Sequence, residues 1–156
     1  MTVREYFLSN NYDDFIRYLE VRNGKPSCSY MAFYKSSNRF HDNAEKARTT
    51  PKGYQVHHID NSIANLSNAK PLTKSYLDGI YTKDEIMNLE SSENLVYVTI
   101  LEHSICHYLL GEYKRAKSLA HKVGYKDLWH FANRWDIEYK QAKELLSYLL
   151  RGDYID

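Results

Sequence analysis

"ENLVYVTILEHSICHYLL" runs from Glu93 to Leu110, and its internal spacing constrains the rest of the chain. Residues 94–98, NLVYV, are rich in β-branched and aromatic side chains, which predicts a short strand. Thr99 and Glu102 follow at the spacing of a capping box, in which each side chain takes up a backbone N–H at the start of a helix. A helix is therefore expected from there to about Gly111. On it His103 and His107 stand four apart and share a face. Leu101, Ile105 and Leu109 fall on roughly the opposite face, so the helix has a core side independent of its imidazoles. Two imidazoles one turn apart can converge on a single metal ion.

Upstream, "TTPKG" (49–53) breaks the chain and "YQVHHI" (54–59) follows, a second short strand. It carries His57 and His58, so two of the seven histidines are adjacent. Neighbouring residues of a strand point to opposite sides. One of the pair can turn toward the helix and its ion while the other faces elsewhere, for instance toward a substrate. The order around the histidines is strand, long connector (60–93), strand, helix. The connector contains "YTKDEIMNL", where Thr82 and Glu85 cap a further helix.

Taken together, "HHI" and "ENLVYVTILEHSICHYLL" resemble the HNH endonucleases, whose core is the ββα-metal finger, and in particular their phage-type and homing-type members. Asn94 is followed nine and thirteen residues later by His103 and His107, the spacing also found in the nuclease domains of the DNase colicins. The resemblance covers about residues 53–111. It implies an α+β fold, with a ββα-metal core embedded in a mostly helical single domain. It implies His57 as the metal ligand from the first strand, with His103 and His107 as the ligands from the helix. His58 would be the general base, and Asn94 the motif asparagine of the catalytic constellation, pinning the connector. The implied reaction is metal-dependent hydrolysis of DNA phosphodiester bonds, leaving a 5′ phosphate and a 3′ hydroxyl. Two departures concern the connector. It is longer than usual, and Asp60-Asn61-Ser62 stands where a proline often follows HHI.

Three neutral nitrogen ligands suit one zinc or other transition ion better than magnesium, which prefers oxygen, although magnesium or manganese could support turnover. Cys106, beside the ligand pair, is expected to pack as a small buried hydrophobe. Asp60 could orient an imidazole or simply serve the turn.

Composition narrows the setting. The 156 residues suffice for one compact domain, and 21 Lys and Arg against 20 Asp and Glu leave a net charge of +1. That balance excludes a strongly basic coat while allowing a local basic face. Cys28 and Cys106 are the only cysteines, which leaves no disulfide framework and no pair of zinc knuckles. Without a signal-peptide pattern or an apolar run of membrane length, the expectation is a cytoplasmic protein.

The flanks are less specific. Residues 1–52 contain an expected helix at 12–22, whereas 28–50 give no assignment. Residues 112–156 read as two or three helices. Within them, "SLAHKVGYKDLWHFANRW" (118–135) resembles the second helix-turn-helix of AraC-type regulators. That resemblance implies a second helix in the major groove of double-stranded DNA, with Lys126 and Asn133 facing the bases. Lys114, Arg115, Lys117 and Lys122 would then contact phosphates. The competing reading is a helical cap with solvated lysines. For the whole chain, a small nuclease of a phage or mobile element, homing or restriction-like, is the expected function. The alternative is a non-catalytic DNA-binding or regulatory protein that uses the same finger as a structural metal site.

Overall fold

Threonine–glutamate boxes mark where several helices begin. The computed structural model describes residues 1–62 and 68–151. In it, Thr2 with Glu5, Thr82 with Glu85 and Thr99 with Glu102 each form the reciprocal pair of cap hydrogen bonds. Two compact units result, both drawn from distant parts of the sequence. The fold is α+β: mostly helical, with two small two-stranded sheets among the described residues.

The first unit comprises residues 1–22, 53–55 and those from 98 onward. It holds α1 (Val3–Leu8), nearly all of α2 (Tyr12–Asn23), α6 (Ile100–Leu109), α7 (Tyr113–Ala120), α8 (Tyr125–Trp135) and α9 (Tyr139–Arg151). Helix α6 is buried on most of its circumference, with Leu101, Ile105 and Cys106 fully enclosed. Leu109, expected on its core side, is only partly covered. Small residues let α7 lie close: Ala116 and Ala120 are buried, and the Ser104 hydroxyl donates to the Ala116 carbonyl at 2.7 Å. Phe7 packs against Phe131 and Trp135, with ring centroids 5.3 and 4.9 Å away. Glu102 sits beneath this aromatic group with no exposure. Its carboxylate accepts from Arg134 Nε and Trp135 Nε1, each at 2.8 Å, and from the Thr99 N–H at 2.9 Å. A buried charge is tolerable when paired and fully hydrogen-bonded in this way.

The second unit comprises residues 23–52 and 56–97. Its first sheet is an antiparallel hairpin of β1 (Met31–Tyr34) and β2 (Arg39–Asp42), with Phe33 opposite Phe40. Asn38 adopts φ 51° at the turn, a left-handed conformation that asparagine tolerates better than most residues. After the hairpin come α3 (Ala44–Thr49) and β3 (Gln55–His58), which enters this unit from the first. Then follow α4 (Ala69–Leu77), α5 (Lys83–Glu90), a 3₁₀ turn (Ser92–Asn94) and β4 (Leu95–Val98). Strands β3 and β4 form the second sheet. The core is Met31, Phe40, Leu72 and Ile86, so the hairpin, α4 and α5 meet on one apolar cluster.

Three features differ from the expectation drawn from sequence. The unassigned stretch 28–50 contains the hairpin and α3, and α1 precedes the expected first helix. The connector carries α4 as well as α5, and its residues 63–67 lie outside the described part. Pro71 does not prevent α4 because it falls in the first turn, where the missing N–H would have no helical partner. Among the described residues no helix is long and apolar enough to cross a membrane.

The start of α6 supports two predictions. Thr99→Ala removes one cap bond and should cost about 1–2 kcal/mol. Glu102→Ala strands the half of the pair held by Arg134 and should cost about 3–5 kcal/mol. Urea unfolding of both variants checks the order; equal costs would mean that Glu102 serves the cap alone.

Candidate metal centre

Strand parity divides the two adjacent histidines. Gln55 and His57 share one side of β3, and His58 takes the other. On the first side, the Gln55 side-chain oxygen meets His103 Nδ1 at 2.8 Å. One turn further along α6, His107 Nδ1 meets Glu112 Oε1 at 2.6 Å. A carboxylate only accepts, so His107 carries a hydrogen on Nδ1, and in the neutral ring Nε2 is then the acceptor. The same assignment follows for His103 from the amide oxygen of Gln55. The two Nε2 atoms face each other at 3.3 Å.

Two ring nitrogens stand this close with a shared proton or a metal ion between them. Two nitrogens bound tetrahedrally to one zinc ion, each about 2.0–2.1 Å from it, are separated by about 3.3–3.4 Å. The observed separation matches. His57 completes the set: the candidate ligand atoms of His57, His103 and His107 all lie within 4.8 Å of one another. These three histidines can hold a metal ion. Gln55 and Glu112 fix two of the rings from behind, as partners of metal-bound histidines generally do. Cys106, on the same helix, is a poor ligand. Its burial pushes the thiol well above its ordinary range, and the charge of Glu102 adds to the effect.

His58 is placed differently. Its Nε2 lies 2.9 Å from Glu90 Oε2, and the Tyr30 ring forms a T-shaped pair with its own, centroids 4.7 Å apart. Asn94 ties the chain beyond His58 to the turn before β4. Its Oδ1 accepts from the Asp60 N–H at 2.8 Å, and its Nδ2 donates to the carbonyls of Asp60 and Leu89 at 2.9 and 2.8 Å. The Asn94 carbonyl accepts from the Ile59 N–H at 2.8 Å. Asp60 serves the turn: its Oδ1 accepts from the Ser62 N–H at 3.0 Å.

The basic residues of the tail lie on and beyond α7. Lys114, Arg115 and Lys122 are exposed and Lys117 is half-buried, on the circumference left open by Ala116 and Ala120. None forms an ion pair with a described residue. On α8, Lys126 and Asn133 are exposed, while Leu128, Phe131 and Ala132 are buried. Gly124, at the turn, has φ −93°, so the turn does not require a glycine.

Gln55, Glu90 and Glu112 are not among the residues that sequence alone points to. Gln55 was accessible from strand parity, two residues before His57. Glu112 stands five residues beyond His107, close enough to be sought. Glu90, 32 residues from His58, carries no local signal.

No protein-family model, curated protein or solved structure matches the chain.

Zinc titration by calorimetry should find one site per chain. His103→Ala or His107→Ala should abolish it, and Glu112→Ala should weaken it about 10- to 100-fold. Affinity should fall as pH is lowered, because protons compete for the same imidazole nitrogens. Binding undiminished in both histidine variants would show that the ion sits elsewhere.

Proposed function

We propose that the chain is a metal-dependent endonuclease of the ββα-metal (HNH) type that hydrolyses phosphodiester bonds in double-stranded DNA. The observation that carries this reading is a division of labour among four imidazoles. Three have candidate ligand atoms within 4.8 Å of one another, and His58, on the other side of the same strand, is left out of the cluster. His58 is thereby available for a role other than ligation.

His57, His103 and His107 would hold one divalent ion, zinc or another transition ion by the chemistry of the donors. When bound, such an ion polarises the scissile phosphate and stabilises the departing 3′ oxygen. The chain supplies the rest. His58 takes a proton from the attacking water as its oxygen bonds to phosphorus. The P–O3′ bond breaks, and the leaving oxygen takes a proton from solvent. Gln55 and Glu112 keep the ligand rings oriented. Asn94 holds the segment after His58 against the turn before β4, which keeps the base in place. Lys114, Arg115, Lys117 and Lys122 would bind phosphates along the duplex, in a chain whose net charge of +1 gives little attraction elsewhere.

One observation favours the non-catalytic alternative. His57 and His107 are only 1% and 2% exposed, and closed sites are characteristic of structural ions.

Incubation of the protein with supercoiled plasmid and Mg²⁺, Mn²⁺ or Zn²⁺ separates the two readings. The wild type should convert plasmid to nicked or linear forms with 5′ phosphates. His58→Ala should cleave about 100- to 10,000-fold more slowly, with metal content unchanged. An inert wild type that nevertheless binds duplex would favour the structural reading.

Neutralising Lys114, Arg115, Lys117 and Lys122 together should reduce the log–log salt slope of DNA binding by about 0.9 for each phosphate that is no longer neutralised. An unchanged slope would make the tail a cap.

A further inference from the structure

Glu90 ends α5 with its side chain 1% exposed, a carboxylate removed from water. Such a group needs a donor or a cation, and the structure provides one in His58, whose Nε2 lies 2.9 Å from Glu90 Oε2. Tyr30 braces both partners. Its backbone N–H donates to the Glu90 carbonyl at 2.8 Å, and its ring forms a T-shaped pair with that of His58, centroids 4.7 Å apart. The imidazole is thus held from two sides, with one nitrogen already committed. Glu90 is absent from the histidine cluster that can hold a metal, so its carboxylate is not needed there as a ligand.

We propose that Glu90 is a positioning residue for the reaction. By accepting a hydrogen bond from His58 Nε2, it fixes the neutral imidazole in the Nε2–H tautomer and leaves Nδ1 as the atom that receives the proton from water. This inference rests on the nuclease reading above. In the step itself, the water O–H bond breaks and its hydrogen passes to Nδ1 as the oxygen bonds to phosphorus. The P–O3′ bond breaks, and its electron pair leaves on the 3′ oxygen, which takes a proton from solvent. His58 is then an imidazolium whose Nε2–H still donates to the carboxylate, a charge-assisted hydrogen bond stronger than the neutral one it replaces. The interaction therefore tightens as the reaction proceeds and favours turnover over substrate binding. His58 later returns its extra proton to solvent.

The test uses the full chain. Long-range ¹H–¹⁵N spectra of the ¹⁵N-histidine protein, with His58 assigned by its alanine variant, read the tautomer directly. The wild type should show hydrogen on Nε2 and a bare Nδ1. Glu90→Ala should mix the tautomers and lower the single-turnover rate on supercoiled plasmid about 10- to 100-fold, with KM for plasmid and zinc content unchanged. Glu90→Gln, which keeps an oxygen acceptor and the same shape, should recover most of that rate and guards against misfolding of the alanine variant. A wild-type His58 with its hydrogen on Nδ1 overturns the inference. So does a Glu90→Ala protein that cleaves at the wild-type rate, or one that loses its zinc. A wild type that cleaves no plasmid with any ion removes the nuclease reading instead, a result distinguishable from all three.

Discussion

Two imidazole nitrogens face one another across 3.3 Å on a single turn of α6, the ring Nε2 atoms of His103 and His107. The groups behind the two rings set that arrangement. Glu112 and Gln55 occupy the outer nitrogens of the two rings, which turns the two Nε2 atoms toward each other. Helix α6 holds the spacing, and its start is fixed by the box of Thr99 and Glu102. Glu102 is in turn tied to Arg134 and Trp135 on α8. Removing the cap would therefore disturb the ligand pair through the helix that carries it. A divalent ion held there would couple binding energy to folding energy.

Three carboxylates do comparable work in different places. Glu102 anchors the helix, Glu112 orients one of the clustered histidines, and Glu90 holds the imidazole outside the cluster. Each carboxylate accepts hydrogen bonds from a specific donor. Glu112 and Glu90 matter chiefly for the orientation of a ring, whereas Glu102 carries a buried pair whose loss falls on stability.

Much of this was legible in local spacing. The capping boxes at Thr82 and Thr99, the strand before α6 and the shared face of His103 and His107 all depend on residues within four of one another. The parity of β3 separated His57 from His58 for the same reason. The hairpin of Met31–Tyr34 and Arg39–Asp42 is hard to read because its strands have four residues each. Its turn also lacks glycine and proline, Asn38 taking the left-handed position. Helix α4 is masked by Pro71, which reads as a breaker unless the helix start is known. The pairing of His58 with Glu90 spans 32 residues, and that of His103 with Gln55 spans 48. No periodicity encodes either, since both depend on how the chain folds back.

X-ray absorption at the zinc edge, on protein carrying one equivalent of zinc, tests the central claim most directly. The expected spectrum shows imidazole nitrogens at about 2.0–2.1 Å, with the outer-ring scattering of three histidines. A shell dominated by sulfur or by carboxylate oxygen, without that imidazole signature, would contradict it.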